Sequence, residues 1–446
     1  MKQGEGHTIY MLGIGGIGMS ALARYYHSQG YTVAGYDRTP SPLTRQLENE
    51  GMAIHYEDNP NVLPALIDIV IYTPAVPKDL KELEALRQRN LPILKRAEAL
   101  GNVTEGHFTI AVAGTHGKTT TTAMVAHILN HCGTNTTAFI GGIANNFNSN
   151  LLLSHEEEYV IVVEADEFDH SFLRLHPDIS IINSIDADHL DIYGDKQHLV
   201  QSYNDFAHLT EKEVIVKEGL DIVTDRGIRF GFGNTNDYKT TIIRSERGIT
   251  DFVIQSEDAT TEIRLPMAGQ HNVLNATAAF IAARNIGIPA ADIAEALTSF
   301  KGVKRRFDIR VNNEKHCYID DYAHHPEEIH SCLTAVRDSF PEKPITLVFQ
   351  PHLFSRTRDF MNEFASVLAM ADELILLDIY PARELPIEGI TSEALLNMVN
   401  VNHKRICKKE ELIDLIDSEK PELLITMGAG DIDRFVEPLE NLIKTW

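Results

Sequence analysis

The chain is short of cysteine, tryptophan, positive charge and long apolar runs, and each shortage removes a class of protein. Its four cysteines, Cys132, Cys317, Cys332 and Cys407, stand far apart with no metal-ligand spacing. That excludes a disulfide-stapled scaffold or a zinc ribbon and predicts buried free thiols in a reducing compartment. Lysine and arginine number 40 against 64 acids, a formal net charge of −24. The acids are spread along the chain, so nucleic acid and anionic membranes are disfavoured as main partners, and any phosphate must be met by a local basic pocket. No apolar run approaches the roughly 18–20 residues of a bilayer-spanning helix. Residues 1–7 carry no long apolar segment ahead of the first strand, so a cytoplasmic protein without membrane insertion is predicted. Solenoid periods and low-complexity tracts are also missing.

What is present begins with length: 446 residues exceed what one hydrophobic core supports, so two or three domains are expected. The chain is organised around a phosphate loop. Phe108 to Ala113 reads as a buried strand, Gly114-Thr115-His116-Gly117 as a turn, and Lys118-Thr119-Thr120 as the start of a helix. Glycines here let backbone N–H groups and a helix N-terminus face phosphate oxygens, Lys118 reaches the β/γ-phosphates, and Thr119 offers a hydroxyl to Mg²⁺. Val112 occupies the place of the usual first P-loop glycine.

Upstream, a strand over His7–Leu12 enters Gly13-Ile14-Gly15-Gly16-Ile17-Gly18, and a second strand, Thr32–Tyr36, ends at Asp37. The spacing is that of a dinucleotide loop, which supports an anionic nucleotide or simply tight packing, without specifying nicotinamide. A strand over Ile67–Tyr72 with Thr73 behind it and a helix over Leu80–Arg89 continue the alternation; Pro92–Glu105 is read as leading out of the domain. Downstream, strands Tyr159–Val163 and Ile179–Ile182 run into Glu164-Ala165-Asp166-Glu167 and Asn183-Ser184-Ile185-Asp186-Ala187-Asp188-His189. In a parallel sheet both strand ends share the edge of the phosphate loop. Acids there would repel ATP unless a cation intervened, which favours Mg²⁺ on Glu164 and His189 over a solvated acidic surface. Leu209–Leu265 reads as an antiparallel annex. Asn275, opening an alanine-rich helix, is either an adenine reader or a cap, and Arg306 either faces the γ-phosphate or belongs to a solvated basic patch. Strands at Cys317–Asp320, Ile345–Phe349, Glu373–Leu377 and Leu423–Met427, separated by helices, make a third α/β unit. Their ends carry Asp321, His324, His325, His352 and Arg356.

The stretches GIGGIGMS, GTHGKTTTT, EADEFDHSF, NSIDADHLDIYGD, GQHNVLNA, DDYAHHP and FQPHLFSRTRDF, in this order, resemble the Mur ligases over nearly the whole chain. The resemblance implies three α/β domains. Residues 1–104 would form a Rossmann-like UDP-sugar domain and residues 105–309 a P-loop-type ATPase domain with a mainly parallel sheet and a small antiparallel annex. Residues 310–446 would form a Rossmann-like amino-acid domain. It implies ATP and two Mg²⁺ as cofactors, and UDP-N-acetylmuramate and L-alanine as substrates of a monomer or weak homodimer. ATP is then expected on Gly114, Thr115, His116, Gly117, Lys118, Thr119, Thr120, Asn275, Arg306 and Asp321. The UDP-sugar is expected on Gly15, Gly16, Ile17, Gly18, Asp37, Thr73 and His189, with metal on Thr119, Glu164 and His189. The amino acid falls to His325, His352 and Arg356. Lys118, Glu164, His189 and Arg306 are the catalytic candidates. Leu353 stands where many relatives carry arginine, which leaves more of the carboxylate to Arg356. A ligase that attaches a whole tripeptide and, from another class, a nicotinamide-dependent oxidoreductase are the competing readings.

Overall fold

The computed structural model describes residues 4–186, 193, 195–382 and 384–446. In the first hundred residues, β1 (Thr8–Leu12), β2 (Thr32–Tyr36), β3 (Ala53–His55), β4 (Ile69–Tyr72) and β5 (Ile93–Lys95) form an all-parallel sheet ordered β3-β2-β1-β4-β5. Successive residues of β1 enter different cores, Ile9 and Met11 on one face, Tyr10 and Leu12 on the other. Both faces are therefore covered, as parallel sheets require. Pro92–Glu105, expected to leave the domain, instead supplies its last strand and the helix Arg96–Thr104. A three-residue strand is too short to show as an apolar run, and only its register beside Val70–Tyr72 makes it one.

The next sheet holds β6 (Thr109–Ala113), β7 (Thr136–Ala144), β8 (Ser149–Leu152), β9 (Val160–Glu164), β10 (Ile179–Ile182), β11 (Glu213–Lys217), β12 (Gly227–Gly231), β13 (Tyr238–Glu246), β14 (Ile249–Gln255) and β15 (Thr260–Leu265). Its order is β15-β14-β13-β12-β11-β10-β6-β9-β7-β8. The stretch read as an antiparallel annex divides. β11 and β12 extend the parallel sheet, because the helix Lys196–Leu209 returns the chain to the starting edge before β11. After β12 the Glu218 carboxylate accepts N–H bonds from Phe232 and Gly233 and fixes the exit. A hairpin begins at β13, where Arg247 and Gly248 both take positive φ (51° and 81°), the two-residue turn whose twist matches that of paired strands. β7 and β8, antiparallel to each other, had no sequence signal, since Gly141-Gly142 reads as a breaker.

Packing divides the chain into two compact units, residues 1–240 with 254–261 and 275–297, and residues 241–253 with 262–274 and 298–446. The first unit contains the N-terminal sheet and the phosphate loop. Buried Asn150 on β8 joins them: its Nδ2 donates to the Ile17 carbonyl (2.6 Å) and Ser20 Oγ (2.9 Å), and its Oδ1 accepts from Arg24 (2.5 Å). The helix behind the glycine loop is thereby tied to the central sheet.

In the second unit β16 (Asp308–Asn312), β17 (Cys317–Asp321), β18 (Ile345–Phe349), β19 (Glu373–Leu376), β20 (His403–Ile406) and β21 (Leu423–Met427) are ordered β16-β17-β21-β18-β19-β20. Only β16 runs antiparallel to its neighbour. All four cysteines are free, three of them buried and Cys132 partly so. Among the described residues no helix is long and apolar enough to cross a membrane.

Candidate active site

The phosphate loop is built as its residue types require. Gly117 caps the helix Lys118–His131 at φ 81°, and Gly114 lies at φ 138°, conformations that side chains resist. The end of β10 holds the turn. The Thr115 N–H donates to the Ser184 carbonyl (3.2 Å) and the His116 N–H to Ser184 Oγ (2.7 Å). The Asp186 N–H donates to Thr115 Oγ1 (2.9 Å). Thr119 and Thr120 are almost buried in the first helical turn. Asn275, expected at adenine, places its Oδ1 2.5 Å from where a Cβ on Gly117 would lie, so it packs on the loop itself.

β9 and β10 flank β6 in parallel register, with Val112 beside Glu164 and Ala113 beside Ile182. Their ends therefore share the loop's edge, as expected. Lys118 Nζ donates to the Gly114 carbonyl (2.6 Å) and to both carboxylate oxygens of Glu167 (2.7 and 3.0 Å). Burial pulls the Lys118 pKa down, but Glu167, Asp166 and Glu164 outweigh it, and the ammonium stays above the usual lysine value. The three acids have separate partners. Asp166 pairs with Arg96 (2.9 Å), and Glu164 accepts the Gly141 N–H on Oε2 (3.0 Å). Among the described residues nothing hydrogen-bonds the second Glu164 oxygen. A carboxylate with one oxygen unoccupied and a threonine hydroxyl are hard donors that fit Mg²⁺, whereas Asp166 is already engaged. His189, the other expected ligand, lies outside the described residues.

On the N-terminal sheet, Gly15 and Gly16 lie in the turn after β1, and Ile17 and Gly18 open the helix Ile17–Ser28. Asp37 Oδ2 accepts the Gly15 N–H (2.8 Å), so this acid orders the loop. The Thr73 methyl lies 2.5 Å from where a Cβ on Gly13 would be. Arg96, which drew no notice in the sequence, sits between Asp166 and the glycine loop, its Nη1 2.7 Å from the Cβ position of Gly18. An arginine opening a helix opposes the macrodipole, and that was the available signal.

In the second unit Asp321, Phe349 and Met427 end three strands in register, which gathers residues 321–326, 350–357 and 428–431 at one edge. Asp321 accepts N–H bonds from Phe307 (2.6 Å) and Ala323 (2.7 Å), and Arg306 lies over the Tyr322 ring at 5.3 Å. The adjacent histidines part company. His325 caps the helix Pro326–Ser339 with its ring on Phe360. His324 faces His352 at 5.9 Å, and His352 stacks on Tyr380 at 5.7 Å. Burial pushes the His352 pKa down to about 4, with His324 and Arg356 acting in the same direction. Nδ1 of His352 and Nη1 of Arg356 are buried and, among the described residues, without hydrogen-bond partners, the condition of groups kept for a ligand. His324 and Tyr380 thus join His352 and Arg356, while His325 turns toward Phe360. Leu353 takes φ 71° ahead of the helix Phe354–Asp359, and its N–H donates to the Tyr380 carbonyl (2.9 Å).

Asp320, buried behind Arg305, has its pKa raised from 3.8 to about 6, because burial outweighs the Arg305 charge and the Thr426 hydroxyl. Between those values the folded chain keeps a proton that the unfolded chain has released, so this contribution to stability is complete below pH 3.8 and lost as pH rises through about 6. Asp320→Asn should therefore gain up to about 3 kcal/mol relative to wild type between pH 4 and pH 7. Urea unfolding at the two pH values checks this, and a constant difference contradicts it.

A glycine turn offering Lys118 and Thr119 at a parallel edge lined with carboxylates defines an α/β enzyme that handles nucleotide phosphates. The chain belongs to the Mur ligase family: residues 8–107 match the Mur ligase family catalytic domain, 112–283 the Mur ligase middle domain and 305–430 the Mur ligase glutamate ligase domain. It is 48% identical to the UDP-N-acetylmuramate–L-alanine ligase of Flavobacterium psychrophilum over 98% of each chain. To that of Cytophaga hutchinsonii it is 46% identical over 98% of this chain and 97% of the relative. The crystal structure of UDP-N-acetylmuramate-alanine ligase from Thermotoga maritima superposes with a TM-score of 0.86 at 29% identity, covering 98% of this chain and 99% of that one.

Proposed function

We propose that the protein joins L-alanine to the lactyl carboxylate of UDP-N-acetylmuramate at the expense of ATP, a cytoplasmic step in peptidoglycan precursor synthesis. The observation that carries this reading is Lys118 and Glu164 at one sheet edge in a chain similar from end to end to ligases of that name. The lactyl carboxylate attacks the γ-phosphate, the bond to ADP breaks, and an acyl phosphate forms. Lys118 and Arg306 offset charge on the transferring group. Thr119, Glu164 and His189 would hold Mg²⁺, which supplies Lewis-acid stabilisation of the phosphoryl oxygens. The neutral amine of alanine then attacks the acyl carbon, the bond to phosphate breaks, and the proton lost from nitrogen leaves with the phosphate as hydrogen phosphate. Its carboxylate is met by Arg356, and His352, neutral at physiological pH, orients it. Gly15, Gly16, Ile17, Gly18, Asp37 and Thr73 form the UDP-sugar cradle. Asn275 and Asp321 serve the nucleoside.

Phosphate release from Mg-ATP with UDP-N-acetylmuramate, scanned over amines, tests the proposal. L-Alanine should give multiple turnovers and the tripeptide L-alanyl-γ-D-glutamyl-meso-diaminopimelate almost none. The reverse preference, or turnover without the sugar nucleotide, overturns it.

A further inference from the structure

Glu167 has no part in the chemistry above, yet among the described residues it makes the tightest charge contact of the phosphate loop, with Lys118 at 2.7 Å. Glu167 is the fixed member: its side chain is 2% exposed and that of Lys118 14%. The flanking residues are clamped on every side. Asp166 pairs with Arg96, Asp169 with Lys95 (2.7 Å), and the Glu167 carbonyl accepts both the Tyr193 hydroxyl (2.5 Å) and the His170 N–H (3.0 Å). Asp169 and His170 sit consecutively in the left-handed region, at φ 55° and 53°, a cost tolerated only where the surroundings over-determine the backbone. What this scaffold delivers is one carboxylate beneath one ammonium.

We propose that Glu167 is a positioning residue for the phosphoryl transfer: with the Gly114 carbonyl it holds the Lys118 ammonium at the phosphate loop, and its longer bond to Lys118 yields one N–H to the terminal phosphate. An ammonium has three donors. The Gly114 carbonyl and the two carboxylate oxygens occupy all three here, so a terminal phosphate oxygen is met by replacing the longer carboxylate bond while the carbonyl and the other oxygen keep their hold. Without the grip, a lysine with four rotatable bonds must be ordered during the reaction, and misplacement of a charge in the transition state falls on kcat. Being buried, Glu167 stays in place when the nucleotide arrives. This inference rests on the ligase reading above.

Glu167→Gln keeps the shape and one acceptor but removes the charge. In the phosphate-release assay its kcat is expected to fall about thirtyfold while KM for ATP moves by less than about threefold. Glu167→Asp, which keeps the charge on a shorter arm, should fall between Glu167→Gln and wild type, an order that a purely structural role would not produce. The thermal midpoint and the affinity for UDP-N-acetylmuramate, measured alongside, identify a variant that has not folded; the Asp variant then supplies the comparison. Unchanged kcat overturns the assignment. So does a lower KM for ATP at unchanged kcat, which would make Glu167 a competitor of the phosphate. A wild type that releases no phosphate from these substrates sinks the ligase reading, whereas equal activity of wild type and Glu167→Gln sinks only the role of Glu167.

Discussion

Lys118→Ala is expected to lower kcat for phosphate release by about three orders of magnitude or more, with the dissociation constant for UDP-N-acetylmuramate within about threefold of wild type. The reason is location. Phosphoryl transfer offers the protein little covalent chemistry, so charge placed against the terminal phosphate supplies much of the rate, and Lys118 is the cation built into the loop. The sugar nucleotide is assigned to the separate glycine turn after β1, whose order depends on Asp37. The variant also leaves Glu167 buried without its partner, which costs about 3–5 kcal/mol unless the carboxyl takes up a proton. A lowered thermal midpoint is therefore part of the expected result, and retained sugar-nucleotide affinity separates lost chemistry from lost fold. Turnover above about 1% of wild type would remove Lys118 from the phosphate chemistry.

Glu164 should give the second largest effect, and Gly141 allows it to be probed without altering the carboxylate. Glu164→Gln is expected to reduce kcat about a hundredfold at fixed Mg²⁺, with partial recovery as Mg²⁺ is raised. A Cβ on Gly141 would overlap both carboxylate oxygens of Glu164, and the backbone there is not in the left-handed region that excludes alanine. Gly141→Ala should thus fold normally, since the far end of a flexible side chain gives way, while the carboxylate moves off its position. The apparent Mg²⁺ constant is expected to rise about tenfold with the thermal midpoint nearly unchanged. A Mg²⁺ titration identical to wild type in both variants would strike Glu164 from the metal site.

The acids and cations of the two sheet edges differ in how visible they were beforehand. Strand, glycine turn, Lys-Thr and helix follow one another within residues 109–131, so their geometry is local and their chemistry could be read directly. The same holds for Asp321 and the segments after Phe349 and Met427, since a parallel sheet sends every strand end to one edge. That Arg96 holds Asp166 and leaves Glu164 with one oxygen unbonded among the described residues could not be read from the order EADE. The favouring of His325 did not anticipate that a helix begins at Pro326, which makes His325 its cap and leaves His324 facing His352.

From residue order alone came the α/β class, the phosphate loop, the strand ends that bear acids and the likeness to the Mur ligases, because each is encoded in neighbours along the chain. Tertiary structure decided which residues meet across it: Glu167 under Lys118, Gly141 against Glu164, Arg96 between Asp166 and the glycine loop, Asn150 locking the first helix to β8. Those contacts depend on strand order and on which face a crossover takes. Residues tens of positions apart carry no periodic trace of such choices, and only the packed sheet sets their distances.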